Sequence, residues 1–112
     1  FPGSEAKLLK GLELGCSGCI SAVTNVTHAL ARKVFDDFEK KKNQTDNEKL
    51  ILVRETFDKY NLISALHSYF SVNDSKFKNL LPPLVPLTAK DKKNLLKNLE
   101  LLKFKKDKNL AA

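Results

Sequence analysis

Hydrophobic positions recur at helical spacing near the start of the chain. Ser4 is a favourable N-cap residue, and Gly15 is a favourable residue just beyond a helix C-terminus. Between them, the apolar residues fall on one stripe of a helix. They are Ala6, Leu8, Leu9 and Leu12. The pattern therefore predicts a short amphipathic helix between Ser4 and Gly15.

A compact apolar run follows the turn Cys16-Ser17-Gly18. The run from Cys19 to Val23 consists of small and β-branched residues and is bounded by Gly18 and Asn25, which is typical of one buried strand. The amides and carbonyls of a buried strand need neighbouring strands as partners. We therefore expect those neighbouring strands to come from outside this chain.

Helical patterns dominate the middle of the chain. A second helix is predicted to start near Thr27 and to turn Leu30, Val34, Phe35 and Phe38 inward. The capping box Thr45-Asp46-Asn47-Glu48 predicts the start of a third helix, whose apolar residues run from Leu50 to Phe57. Tyr60-Asn61 is predicted to kink or break it before a helical segment continues from Leu62 to Phe70.

Proline residues interrupt this helical pattern in the last third of the chain. The segment Leu80 to Leu87 contains Pro82, Pro83 and Pro86, which remove amide donors and favour extended backbone. It is predicted to be an apolar strap packed on helices. The cap sequence Thr88-Ala89-Lys90-Asp91 then predicts a last helix.

The length and composition are those of one globular domain. The chain has 112 residues, of which 42% are hydrophobic and 29% are charged, and no apolar run approaches the roughly 20 residues of a membrane helix. Two cysteines are too few for a disulfide framework. With no apparent signal peptide, we expect a cytoplasmic location and no membrane partner. Since methionine is absent and Phe1 comes first, we expect a portion of a longer protein.

The net charge of +7 raises the question of nucleic-acid binding. Lysines such as Lys40, Lys76 and Lys92 are scattered, however, and acidic residues lie between them. Arginine, the usual side chain for base recognition, occurs only at Arg32 and Arg54. A solvated lysine-rich surface is the favoured interpretation, with no nucleic-acid partner. A non-enzymatic basic helical binding module is the alternative.

Two motifs resemble one enzyme family. The first is the stretch Gly3-Ser4-Glu5 together with Leu8-Leu9, Leu12 to Gly15 and Gly18 to Val26, and the second is Leu81-Pro82-Pro83-Leu84-Val85-Pro86-Leu87. In this order and at this separation they resemble the dihydrodipicolinate synthase / N-acetylneuraminate lyase family of pyruvate-dependent aldolases. The resemblance spans nearly the whole chain.

The fold class implied by this resemblance is α/β. The chain would form the C-terminal part of a (β/α)8 TIM barrel, with its last strand or two and their helices, followed by a C-terminal helical extension. Residues 1–40 would form the last part of the barrel, consisting of a helix, the last strand and the last barrel helix. Residues 41–112 would form the extension, with the proline strap at 80–87 and a flexible basic tail at 105–112. The remainder of the barrel would be its partner within a homotetramer.

The activity implied by the resemblance is that of a Schiff-base-forming pyruvate lyase that adds pyruvate to an aldehyde. The family's catalytic lysine and tyrosine would lie upstream of Phe1, so no catalytic residue, metal or cofactor is expected in this chain, which alone would be inactive. The run from Ile20 to Val26 is most similar to the dihydrodipicolinate synthase branch, whose members use aspartate semialdehyde in lysine biosynthesis. A 2-keto-3-deoxygluconate aldolase or an N-acetylneuraminate lyase is the alternative, because Tyr60-Asn61-Leu62-Ile63 departs from that branch's proline-containing sequence.

Three residues match substrate-binding positions of the family. Gly3 matches the glycine that ends the seventh strand, where the backbone approaches the bound keto acid. Ile20 matches the eighth-strand residue whose main-chain carbonyl and side chain face the Schiff base, and Ser21 lies beside it. Both segments fit the rule that barrel active sites lie at the C-terminal ends of strands.

The remaining candidate groups have simpler interpretations. Cys16 and Cys19 form a Cys-x-x-Cys motif, which occurs in redox and zinc sites, but four zinc ligands at suitable spacing are missing. Small turn and strand residues are therefore the favoured interpretation. His28 and His67 lie in no nucleophile pattern, so we interpret each as a surface or helix-packing residue.

Overall fold

The computed structural model describes residues 1–104, and the predicted tail at 105–112 lies outside this range. Its α-helices are α1 (Leu8–Glu13), α2 (Thr24–Glu39), α3 (Asn47–Asp58), α4 (Leu62–Phe70) and α5 (Ala89–Leu101). Short 3-10 helices span Glu5–Lys7 and Ser75–Lys78. None of the helices within residues 1–104 combines the length and apolar character needed to cross a bilayer.

The first predicted helix is confirmed, although it begins with a 3-10 turn. Ser4 has extended backbone, and its hydroxyl oxygen accepts a hydrogen bond from the Ala6 amide at 3.3 Å, as an N-cap residue does. Gly15 follows α1 with a φ of 95°, a left-handed conformation that glycine adopts without a steric penalty. Local capping signals thus set both ends of this helical segment.

The predicted strand from Cys19 to Val23 does not form within the described residues, which contain no strand; its partner strands were expected from outside this chain. The segment is irregular, and α2 begins at Thr24, three residues before the predicted start near Thr27. The backbone bond that reaches this segment from the chain start joins the Ile20 amide to the Pro2 carbonyl at 3.0 Å. A strand needs a ladder of such bonds with neighbouring strands, and the described residues do not provide one.

The chain divides into two compact units, of which the first comprises residues 1–54. Its core joins α1 and α2 to the start of α3. The fully or nearly fully buried members of this core are Leu8, Leu12, Ala31, Val34 and Leu50. Leu30, Phe35 and Phe38 pack against them while half-buried, which confirms the predicted inward face of α2.

The third and fourth predicted helices are confirmed as α3 and α4. The first of these begins at Asn47, two residues after Thr45. The break predicted at Tyr60-Asn61 separates the two helices. Asn61 caps α4, because its side-chain oxygen accepts a hydrogen bond from the Ser64 amide at 3.1 Å.

The second unit comprises, in its described part, residues 55–104. Rings from α3, α4, the second 3-10 helix and the chain beyond α5 form a connected set with centroids 5.0–6.3 Å apart. They are Phe57, Tyr69, Phe70, Phe77 and Phe104. Edge-on and tilted arrangements of this kind add to the free energy gained by burying the rings.

The strap and the last helix also follow the prediction. No helix spans residues 79–88, and Thr88 caps α5 by accepting a hydrogen bond from the Asp91 amide at 3.1 Å. The strap is attached to α4 where the Leu87 amide donates to the Ser68 hydroxyl at 3.2 Å. Leu81 and Val85 remain exposed, so only part of the strap packs as expected. The predicted domain division at residues 40 and 41 stays a prediction.

Candidate functional site

The chain start and the segment after Gly18 lie side by side. The Ile20 amide donates to the carbonyl oxygen of Pro2 at 3.0 Å. Since Pro2 directly precedes Gly3, this bond brings two of the predicted substrate-binding residues next to each other. The two segments are therefore adjacent in the first unit. Substrate binding by Gly3, Ile20 and Ser21 stays a prediction.

The three predicted residues differ in their surroundings. Gly3 is exposed, and a Cβ atom built on it would meet no heavy atom within 4 Å. The Ile20 side chain is 72% exposed. Ser21 is half-buried, and its hydroxyl oxygen lies 2.8 Å from Nη1 of Arg54. Gly3 and Ile20 are thus exposed to solvent, whereas Ser21 is held by its hydrogen bond with Arg54.

A buried ion pair lies beside these residues. Arg54 Nη1 donates to Glu5 Oε2 at 3.2 Å as well as to the Ser21 hydroxyl. The Glu5 side chain is fully buried and the Arg54 side chain is 11% exposed. Burial weakens the competition from water and strengthens the attraction between the two charges. Among residues 1–104, the second carboxylate oxygen of Glu5 has no hydrogen-bond partner.

Sequence reasoning did not assign Arg54 or Glu5 to this site. Glu5 occurs in the motif Gly3-Ser4-Glu5, but its partner is 49 residues away and no local pattern joins them. One signal was present in α3. Arg54 is spaced four residues after Leu50 and three before Phe57, both fully buried. It therefore lies on the buried stripe of the helix, where an arginine indicates a charged partner.

Side-chain caps hold the backbone that leads from Ser21 into α2. Thr24 Oγ1 donates to the Ser21 carbonyl, and Asn25 Nδ2 donates to the Ala22 carbonyl at 2.8 Å. Thr27 Oγ1 donates to the Val23 carbonyl at 3.1 Å. These bonds satisfy three successive carbonyl groups and restrict the segment that carries Ile20.

The two cysteines form no disulfide and are half-buried. Burial raises the pKa of the Cys19 thiol, and the negative charge of Glu5 raises this pKa further. A raised pKa lowers the fraction of thiolate, which is the reactive form. This environment disfavours the redox interpretation of the motif and fits small structural residues.

The histidines also make no catalytic arrangement within the described residues. His67 Nδ1 lies 3.1 Å from the Phe77 carbonyl oxygen, and its ring contacts the Phe77 ring edge-on at 5.9 Å. His28 is half-buried on α2. Residues 1–104 contain no group of three or more His, Cys, Asp or Glu side chains arranged to hold a metal ion.

Comparison with solved structures shows the fold of this part of the chain. It is similar to a dihydrodipicolinate synthase from Bacillus anthracis, with a TM-score of 0.75, 19% identity and coverage of 88% of this chain and 35% of that structure. A dihydrodipicolinate synthase from Agrobacterium tumefaciens gives a TM-score of 0.71, 21% identity and coverage of 89% and 33%. The chain thus spans about a third of the length of these enzymes.

Comparison with family profiles identifies the family directly. No curated protein sequence matches the chain significantly. The profile of the dihydrodipicolinate synthetase family, however, matches residues 1–102, which is nearly the whole chain. The two sequence motifs resemble this same family. The chain belongs to the dihydrodipicolinate synthetase family.

Proposed function

We propose that this chain forms part of a Schiff-base-forming pyruvate lyase, 4-hydroxy-tetrahydrodipicolinate synthase, which condenses pyruvate with aspartate semialdehyde. The family match over residues 1–102 supports the enzyme class. The single structural observation that carries the assignment of the site is the hydrogen bond from the Ile20 amide to the Pro2 carbonyl at 3.0 Å. It brings the segments of Gly3 and Ile20 together, which supports the proposal of a shared keto-acid site.

The proposed reaction proceeds through a lysine that belongs to a part of the protein outside these 112 residues. The lysine amine adds to the keto carbon of pyruvate, and loss of water leaves a protonated imine. Removal of a proton from the adjacent methyl group gives an enamine. Its nucleophilic carbon forms a bond to the aldehyde carbon, whose oxygen takes up a proton. Water then hydrolyses the imine and releases the product from the lysine.

This chain's proposed contribution is to shape the keto-acid side of the site. At Gly3 the backbone has no side chain and the space around its Cβ position is open within the described residues, so a small ligand can approach the main chain. Ile20 would direct its main-chain carbonyl and its exposed side chain toward the Schiff base. Ser21 would hold the end of this segment through its contact with Arg54.

The proposed assembly is a homo-oligomer, in line with the resemblance, which implies a tetramer. Large apolar side chains on the second unit remain open to solvent in the single chain. Leu81, Val85 and Leu101 are 83%, 68% and 71% exposed. Burial of such side chains against another copy of the protein would remove apolar surface from water, which favours association. Sedimentation velocity of the full-length protein will show a tetramer if the proposal is correct and a monomer if it is not.

The first test is chemical trapping of the Schiff base. The full-length protein is incubated with pyruvate and reduced with borohydride, and its intact mass is measured by mass spectrometry. We expect one reduced pyruvate adduct per chain in the full-length protein and none in the 112-residue chain alone. A full-length protein without an adduct would contradict the proposed function, and an adduct on the isolated chain would contradict the placement of the lysine.

The second test identifies the aldehyde. The full-length protein is assayed for pyruvate consumption with aspartate semialdehyde, glyceraldehyde and N-acetylmannosamine. The last two are the aldehydes released by retro-aldol cleavage of 2-keto-3-deoxygluconate and N-acetylneuraminate. We expect the highest kcat/KM with aspartate semialdehyde. A higher value with either of the others would assign the protein to that branch of the family.

A further inference from the structure

Arg54 connects the two segments that carry the predicted keto-acid contacts. Its Nη1 donates to Glu5 Oε2 at 3.2 Å and to Ser21 Oγ at 2.8 Å. Glu5 lies two residues after Gly3, and Ser21 lies directly after Ile20. We propose that Arg54 is a positioning residue that sets Ile20 against Gly3 for pyruvate binding. This inference rests on the proposed function.

A backbone hydrogen bond joins the two segments, and Arg54 adds a side-chain connection to it. The Ile20 amide bonds to the Pro2 carbonyl, but no strand ladder forms in residues 1–104. A single neutral hydrogen bond contributes only about 0.5–1.5 kcal/mol of stability. A side chain that reaches both segments adds to this backbone contact. Arg54 is a side chain that does so.

The burial of this ion pair makes it a rigid connection. The Glu5 side chain is fully buried, and the Arg54 side chain is 11% exposed. Hydrogen bonds between ionised groups are shorter and stronger than neutral ones, and water cannot readily replace either partner here. The planar guanidinium presents several N–H donors in fixed directions. A lysine at this position would keep the charge but would not reproduce that geometry.

The connection acts over a short distance along the chain. A shift of the guanidinium is transmitted to Ile20 through one peptide unit and to Gly3 through two. Thr24 Oγ1 holds the Ser21 carbonyl and Asn25 Nδ2 holds the Ala22 carbonyl, whereas Arg54 holds the Ser21 hydroxyl. Loss of Arg54 is therefore expected to displace Ile20 while α2 stays in place.

The test uses the full-length protein and a variant that removes the connection without leaving a buried charge. The double variant Glu5→Met/Arg54→Met replaces the ion pair with apolar side chains of similar length, an exchange that buried pairs often tolerate. The matched control is Lys33→Met/Asp37→Leu. It removes another ion pair of the first unit, with an N–O distance of 2.7 Å, that contacts neither segment. The variant Arg54→Lys keeps the charge and tests the geometry.

Two readouts separate positioning from stability. We expect hydrogen exchange of the Ile20 amide to become at least about tenfold faster in the Glu5→Met/Arg54→Met variant, with unchanged exchange in the middle of α2. We expect the KM for pyruvate to rise roughly tenfold with little change in kcat, as loss of ground-state positioning predicts. Arg54→Lys should fall between this variant and the wild type, and the control should match the wild type.

The outcomes distinguish this inference from the proposed function. A folded double variant with wild-type exchange at Ile20 and a wild-type KM would overturn the inference, as would equally faster exchange throughout α2. A wild-type protein without a pyruvate adduct would refute the proposed function and, with it, the role in pyruvate binding. The exchange of the Ile20 amide would then still decide whether Arg54 holds the two segments together.

Discussion

Substitution of Gly11 by alanine has two opposing effects on stability. It increases helix propensity, but it also introduces a close contact beside the candidate site. Gly11 lies buried within α1, where alanine is favoured over glycine by about 1 kcal/mol. A Cβ atom at this position would, however, lie 2.9 Å from Cγ of Pro2 and 3.5 Å from its Cδ. The optimum separation of two carbon atoms is about 3.5–4.0 Å. The proline ring would therefore have to move.

The magnitudes decide the direction of the effect. Overpacking of this kind costs about 1–3 kcal/mol, which exceeds the gain of about 1 kcal/mol from helix propensity. We expect Gly11→Ala to destabilise the protein by up to about 2 kcal/mol, which lowers Tm by up to roughly 4–8 °C for a chain of about 150–250 residues. Movement of Pro2 would also disturb its bond to the Ile20 amide. The KM for pyruvate should therefore rise.

The assay is a double-mutant cycle measured by thermal unfolding of the full-length protein. Pro2→Ala removes both ring atoms that the new Cβ would meet, so Gly11→Ala made in that background keeps only the propensity gain. We expect the sign to reverse, with Tm falling in the wild-type background and rising in the Pro2→Ala background. Destabilisation of equal size in both backgrounds, or a higher Tm for Gly11→Ala alone, would refute the reasoning.

Three further predictions concern other parts of the structure. Ser68→Ala removes the acceptor of the Leu87 amide and should destabilise the second unit by about 1–3 kcal/mol, seen as a lower Tm. The hydrogen bond to Asp37 raises the pKa of Lys33. This interaction stabilises the fold at pH values below the ordinary lysine pKa of about 10.4. The stabilisation is lost as the pH rises through the higher pKa of the folded state. In Lys33→Met, Tm should therefore change less with pH across that range. Because its pKa is raised, Cys19 should react with iodoacetamide more slowly than a small-molecule thiol at the same pH, which peptide mass spectrometry will measure.

Signals within a few residues predicted most of the secondary structure correctly. Ser4 and Thr88 cap helices where their sequences indicate, and the break before α4 occurs at Tyr60-Asn61 as predicted. The proline strap is free of helix. These features are predictable because a cap or a proline acts on the backbone within about one helical turn of itself.

The predicted strand is absent from the described residues for a different reason. The apolar run at Cys19 to Val23 has the composition of a buried strand, but composition supplies no partner strands. Within the described residues, Ile20 is 72% exposed and the segment is irregular. Sheet structure depends on hydrogen bonds between segments that are distant in sequence, so a local pattern cannot establish it.

The sequence by itself determined most of the helices, the caps at Ser4 and Thr88, the helix break and the family resemblance, because each depends on neighbouring residues or on a linear motif. Only the tertiary structure decided that Arg54 meets Glu5 and Ser21 across separations of 49 and 33 residues. The same holds for the contact of Gly11 with Pro2. Such contacts depend on how the chain folds back on itself, which no local pattern of residues records.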